Sequence, residues 1–463
     1  MKRISLTTLL ALLVTFGTLQ AQTRTITIQE AIEIALENNF SLKQAQNDLN
    51  LAEKRITSEY LDFAPNVSGS INGSSNTGQQ FVADRLSSGL NPFVSINSKS
   101  ISGSARASIT IFSGFENINS LRASQQSKIS QQENLQRQRE TVIFQTASNY
   151  LQVLLSKELL EIRQENLNTS QRVLEQTRAQ VEVGSRPTVD LYNQEATVAN
   201  NELLVTQQQN TLLLNKLALI RQLQIDPLAE YEFVVPDISE AQIGNTAGLT
   251  LRALVNEALM SRSDIRSTQA NIESLRLQYQ IAKGSLLPTV SANVGLSSRY
   301  SDQLRNPNPN NPQERLKVSF NDQFFDQQVN KSIGFSINVP IFQNWNRMQN
   351  IQSSQISLKN AELNLENTEL QVVQEVTQSY NDFNSFVKEL EASEKSLIAS
   401  EKAFETQQER YNVGASTLIE LSQAQASYVE AQSNYTQAQY RLIFQEKLLD
   451  FYLGKLSGDQ VTF

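Results

Sequence analysis

A mainly helical fold that carries membrane β-strands, built from a duplicated helix-strand-strand-helix unit, is predicted by three observations. A heptad seam runs through Val376, Phe383, Leu390, Leu397, Phe404 and Tyr411, with a companion row at Val373, Tyr380 and Val387. Apolar residues repeating every 3.5 positions mark a coiled-coil helix rather than a globular surface helix. The seam has a copy 230 residues earlier, at Val153, Leu160, Leu167, Leu174 and Val181. In both halves a proline, Pro65 or Pro288, is followed by short segments in which apolar and small polar residues strictly alternate.

The first 21 residues have a basic start (Lys2, Arg3), an apolar run from Leu6 to Leu19 and Ala21 before Gln22, and are expected to be a signal peptide cleaved after Ala21. Loss of Lys2 and Arg3 takes the formal charge from −8 to −10. So acidic a chain argues against nucleic acid as a partner. No run of 18 apolar residues follows, so any membrane crossing falls to strands. Cysteine and histidine are both absent. That removes disulfides, a lipid-bearing cysteine after the leader, and every Ser-His or Cys-His nucleophile, and leaves carboxylates as the only strong metal ligands. No enzyme activity, cofactor or metal site is expected.

Repeat 1 is assigned to residues 22–223. Its first helix carries the row Ile28, Ala35, Leu42, Leu49 and Ile56, with Thr27 and Glu30 at capping-box spacing, and ends before Pro65. Two strands follow, one alternating at Val67, Gly69 and Ile71 and the other at Ala105, Ala107, Ile109 and Ile111. A long helix then runs to Val183-Gly184, where glycine suits the left-handed end of a helix, and a second helix returns through Leu191, Val198, Val205, Leu212 and Leu219. An irregular connector, 224–249, packs on the outside of the helices and separates this from repeat 2, residues 250–454. There the order recurs: Leu251, Ala258, Ile265, Ile272 and Tyr279, then Pro288, then strands at Val290, Ala292, Val294 and Leu296 and at Ile333, Phe335, Ile337, Val339 and Ile341. The uninterrupted helix from about Asn344 to Asn412 would be about 100 Å long. It turns at Gly414 and returns through Leu421, Tyr428, Tyr435, Leu442 and Leu449, leaving a short tail, 455–463. The segments 74–102 and 298–330, rich in Ser, Asn, Gly and Pro, are expected to be exposed loops.

Strands of about ten residues with one apolar and one small polar face fit tilted membrane strands with lipid on one side and water on the other. Four per chain cannot close a barrel, and an open edge in lipid leaves amides unpaired at several kcal/mol each. Chains must therefore assemble. Two would give the eight-strand minimum with a filled interior; three would give twelve strands and a lumen, and the long helices favour the larger ring.

In this architecture the chain resembles the TolC-type outer-membrane efflux channels. The likeness covers essentially the whole mature sequence and rests on the duplicated halves and the paired tips: Tyr411-Asn-Val-Gly414 followed by Leu421 and Ala426, and Val183-Gly184 followed by Asp190 and Ala196. The resemblance implies a homotrimer whose 12-stranded β-barrel in the outer-membrane lipid is continuous with a 12-helix α-barrel in the periplasm. It also implies a passive exit duct for small molecules, driven by an inner-membrane pump through a periplasmic adaptor protein.

Asp190 and Glu420 stand at equivalent places, six residues past the tip glycines. Threefold symmetry would set them in a ring at the tunnel mouth that attracts cations. Thr417 and Glu420 also have capping-box spacing, which is the structural alternative. The resemblance implies an aspartate pair lining the periplasmic constriction; here Glu420 keeps the first charge and Gln423 replaces the second. It further implies that a tyrosine and an arginine of the second tip hold the first tip. Tyr411 and Asp190 match, Ser416 stands in the arginine's place, and Arg186 lies on the opposite tip, either as a substitute or as a solvated turn residue. Arg106 is a candidate lumen residue or strand-end cation, and Phe112, Phe115, Phe342 and Trp345 form an aromatic girdle or a packed junction where strand becomes helix. Two other readings remain at this stage: the exit duct of a type I protein secretion system, and a secreted coiled-coil scaffold without a pore, which leaves the four strands unexplained.

Overall fold

The computed structural model describes residues 24–234 and 250–456. The expected leader, residues 235–249 of the connector and most of the tail lie outside them. The chain divides into two compact units. One holds the described residues up to Leu49, within Gln131–Thr268 and from Asn364 on; the other holds Asn50–Ser130 and Gln269–Leu363.

The elements of the first half are β1 (Arg24–Ile26), α1 (Ile28–Asn38), α2 (Phe40–Leu61), β2 (Asn66–Phe81), α3 (Ala83–Ser87), β3 (Phe93–Ser113), α4 (Glu116–Glu182) and α5 (Thr188–Leu223). After β4 (Tyr231–Phe233) come α6 (Leu251–Ser261), α7 (Ser263–Gly284), β5 (Thr289–Ser301), a hairpin of β6 (Arg305–Asn308) and β7 (Asn311–Lys317), β8 (Asn330–Asn338), α8 (Asn346–Asn412) and α9 (Leu418–Tyr452). α4 and α8 are each 67 residues long.

In the helical unit the seam residues meet as expected of an antiparallel pair. Leu167, Val198 and Val205 share one buried cluster, and Val376 shares another with Val372, Leu254, Ala258, Ile265 and Leu449. The companion row is shifted by one position: Val372, not Val373, is fully buried, and Ser379 takes the next place. Part of the connector is regular structure rather than an irregular segment. β4 pairs in parallel with β1, and Phe233 is buried in the main core with Ile26, Ile32 and Tyr150. The hydroxyl of Tyr150 lies 2.9 Å from the carbonyl of Ile26 and 2.8 Å from that of Val234, which fastens α4 to the C-terminal ends of both strands. Burial pushes its phenol up to about 12. Thr27 and Glu30 form the capping box that opens α1.

In the strand unit β2-β3-β5-β8 form one antiparallel four-stranded sheet. Pro65 and Pro288 sit immediately before β2 and β5, where their fixed φ suits an extended entry and their missing N–H costs the ladder nothing. The register puts Val67, Ile71, Val294, Ile333, Phe335 and Ile337 on one face, and all of them are exposed; Arg106 points to the other face with Ser68 and Gly295. Three sequence expectations need correction here. The segment 74–102 is mostly strand, because β2 continues to Phe81 and β3 starts at Phe93; its Ser and Asn residues pair across the ladder, as Ser74 does with Ser100 at 2.7 Å. Likewise 298–330 contains the β6–β7 hairpin. β8 ends at Asn338, short of Val339 and Ile341, because Pro340 cannot continue a ladder.

Strand passes to helix through the same turn in both halves. Gly114 and Phe115 have φ of 66° and 69°, and Asn344 and Trp345 have φ of 45° and 66°. A bulky aromatic residue in the left-handed region is a strained position, so these turns are imposed by the elements on either side. Phe115, Phe342 and Trp345 are exposed, and Phe112 meets Phe115 edge to face at 5.3 Å.

Candidate functional site: the helix tips

α4 ends at Glu182 and α8 at Asn412 because each runs into a Val-Gly pair in which the glycine alone adopts positive φ: 74° at Gly184 and 75° at Gly414. The amide of Ser185 then donates to the carbonyl of Gln180, and that of Ala415 to the carbonyl of Arg410, closing the orphaned last turns. α5 starts after Pro187 without a side-chain cap. α9 starts with a full capping box: the Thr417 amide donates to Glu420 Oε2 at 2.9 Å, and the Glu420 amide donates to Thr417 Oγ1 at 3.2 Å.

The two tips meet on Tyr411. Its ring is 1% exposed, in a cluster with Val173, Leu418 and Leu421, and its hydroxyl is 3.3 Å from that of Thr177. The guanidinium of Arg186 lies over the Tyr411 ring at 4.0 Å from its centroid and pairs with Asp190 at 3.7 Å. Arg186, Asp190 and Tyr411 are therefore brought together, and Arg186 is not a solvated turn residue. Ser416, which occupies the place of the missing arginine, is buried and donates to Glu420 or Gln407. Glu420 is exposed, and its carboxyl is held below the usual range by the amide of Thr417 and then by the hydroxyl of Ser416. Gln423 is exposed one turn further along α9 and joins none of these contacts.

Sequence reasoning missed the polar ladder just behind the tips. Ser170, fully buried on α4, accepts from Gln194 on its carbonyl at 2.9 Å and from Asn201 on its hydroxyl at 2.6 Å; Gln425 of α9 reaches Asn166 Oδ1 at 2.7 Å. The available signal was polar side chains interrupting an apolar seam.

The sequence profile of the outer membrane efflux proteins matches residues 31–223 and 254–455. The chain belongs to that family. The family is that of outer-membrane efflux proteins, and the fold is the one that solved outer-membrane channels share. Over 188 residues this efflux protein is 28% identical to the pyoverdine export outer membrane protein OpmQ of Pseudomonas aeruginosa, a match covering 39% of this chain and 38% of that protein. The match thus spans well under half the length of this curated relative. Among solved structures it is similar to CusC, with 18% identity, 92% of both chains covered and a TM-score of 0.78, and to the CmeC outer membrane channel of Campylobacter jejuni, with 17% identity, 92% and 85% covered and a TM-score of 0.78. At these identities the likeness is one of fold.

Proposed function

We propose that three copies of this efflux protein close a shared barrel and form the passive exit duct of a tripartite efflux system. The observation that carries this reading is the four-stranded sheet with two open edges, β2 and β8, and an uncovered apolar face. In lipid every unpaired edge amide costs several kcal/mol, so β8 of one copy pairs with β2 of the next. Three copies give twelve strands around a lumen lined by the Ser, Asn and Arg106 face, and four long helices per copy (α4, α5, α8 and α9) continue the duct as a 12-helix tunnel. Residues 22–223 and 250–454 are the two repeats, joined by 224–249.

Substrate is driven by an inner-membrane pump and handed over by a periplasmic adaptor. The adaptor docks on the tips, where Val183 and Val413 stand 79% exposed beside the turn glycines. Arg186, Asp190 and Tyr411 hold the tips together at rest, with Asp190, Glu420 and Gln423 around the periplasmic mouth. The pyoverdine export of the matched Pseudomonas relatives supports a small-molecule cargo.

The test is the native mass of protein extracted from outer membranes in mild detergent without heating. Three chains per particle, corrected for bound detergent, is the expected result. A monomer would remove the shared barrel.

A further inference from the structure

β8 begins at Asn330 opposite Ser297, whereas β5 runs on to Ser301, so the last residues of β5 have no β8 partner. Gln323 takes that edge. Its Oε1 accepts from the Ser301 amide at 2.9 Å, its Nε2 donates to the Ser301 carbonyl at 3.0 Å, and it is 1% exposed. This fastens a helical turn, Phe320–Asp322, and the wider turn Gln323–Gln327 that continues it. The pair of turns carries three phenylalanines onto the apolar face of the sheet. Phe320 stacks on Phe324 at 5.1 Å and meets Tyr300 at 5.2 Å, and the Phe324 ring comes within 2.8 Å of where a side chain on Gly103 would begin. A side chain at 103 would push the Phe324 ring aside.

Beside it lies a groove of about 830 Å³ on the same face. Gly103 and Ala105 form its low floor, Ile71 and Leu296 flank it, Phe325 overhangs it, and Lys331 contributes the one charged side chain in its lining. Lys331 is exposed and, among the described residues, has no ion-pair partner. It pairs with Leu296, seven residues beyond Thr289 where β5 begins. At about 3.3 Å per residue this is roughly 23 Å along the strand and, at a tilt of about 40°, roughly 18 Å across, in the outer third of an apolar band about 25 Å tall. From that depth the lysine stem snorkels outward and carries its ammonium group to the level of the lipid phosphates, while the groove continues the apolar surface that meets the acyl chains.

We propose that this groove binds one acyl chain of a phosphorylated outer-leaflet lipid, with Lys331 pairing with its phosphate. The inference rests on the barrel reading above, which turns this face toward lipid.

The experiment is native mass spectrometry of the full chain in detergent, titrated with diphosphoryl lipid A and, separately, with uncharged diacylglycerol. Ala105→Phe fills the groove floor from an exposed position, and Lys331→Gln removes the charge. The expected result is retention of lipid A by the native chain, about tenfold weaker retention in each variant, and diacylglycerol retention reduced by Ala105→Phe alone. Wild-type retention of lipid A in either variant overturns the site. The chain has no cysteine, so Ile333→Cys gives a unique fluorophore position lower on the same face. Quenching there by brominated lipids, with lipid A binding unaltered by the variants, removes the site alone; no quenching removes both the site and the barrel reading.

Discussion

Arg186 shows how one side chain carries the contact between the tips. Its charge rests on a buried ring and beside a half-buried carboxylate, so both partners are shielded from water. A stacked cation of this kind contributes about 1 kcal/mol. In planar bilayers Arg186→Ala is therefore expected to raise the mean conductance and shorten closed intervals. Tyr411→Phe, which loses only the hydroxyl contact to Thr177, should do so less. Equal conductance in the Arg186→Ala and native proteins would deny the contact a gating role. Glu420 makes a different prediction, because its depressed pKa is a statement about pH. A carboxylate whose folded pKa is lowered contributes stability that is present above its ordinary value of 4.5 and lost as the pH falls through the lower, folded value. The cap of α9, and any cation preference due to Glu420, should thus be constant from pH 7 to about 4.5 and fade only below it, as read by reversal potentials across a salt gradient. Asp190→Ala and Glu420→Ala together are expected to raise conductance or lower cation preference; unchanged currents in both respects would leave the carboxylates with their ion-pair and capping roles. The Glu420 cap was legible as Thr417-x-x-Glu420. The seat of Arg186 was not, because Arg186 and Tyr411 meet only through the packing of two tips far apart in sequence.

Between elements, polar residues set the register that the apolar seam leaves open, since leucines and valines spaced by heptads pack almost equally well one heptad along. Ser170 takes Gln194 on its carbonyl and Asn201 on its hydroxyl; two heptads away Ser156 takes Gln208 at 3.0 Å and Asn215 at 2.6 Å in the same two ways. A one-heptad slip of α5 along α4 would take Asn201 and Asn215 away from their serine hydroxyls, whereas Gln194 and Gln208, which use main-chain carbonyls, carry no register. Ser170→Ala leaves the Asn201 amide without its acceptor, and the expected cost is about 1–3 kcal/mol in urea unfolding followed by helical circular dichroism. An unchanged midpoint and slope would mean that water replaces the serine and that the ladder sets no register. The helices themselves were readable because heptads, glycine turns and the Thr27–Glu30 box are local signals. The length of β2 and β3 was not, since runs such as Ser74-Ser-Asn-Thr-Gly carry turn composition, and only pairing with a partner strand, Ser70 with Ser104 and Ser74 with Ser100, makes them strand. The small β1–β4 sheet escaped for the same reason, being a contact between three-residue pieces at distant points of the chain.

At the scale of the assembled channel, the registers within one chain fix the register expected between chains. β2 pairs with β3 through Asn66 and Ser108, and β5 pairs with β8 through Thr289 and Asn338, so β5 stands to β2 at an offset of 223 and β8 to β3 at an offset of 230. The junction between the halves, β3 with β5, sets Ala107 opposite Val294. Carrying both offsets across, the junction between subunits should repeat it with Ile337 of one copy opposite Ile71 of the next. Both side chains lie on the exposed apolar face, at 69% and 81% exposure, so replacing them disturbs no buried core. Facing residues in an antiparallel ladder have Cα atoms about 4.5–5.5 Å apart, within the span of a disulfide. Because the chain has no cysteine of its own, Ile71→Cys with Ile337→Cys should, on mild oxidation, give covalent dimers and trimers on non-reducing gels. Ile71→Cys with Phe335→Cys, displaced by two residues, should give far fewer. A preference for the displaced pair would mean that the subunit junction has a register of its own. Monomer from both pairs, in protein recovered from the outer membrane, would mean that β8 and β2 of neighbouring copies do not meet and that the sheet edges are closed in another way.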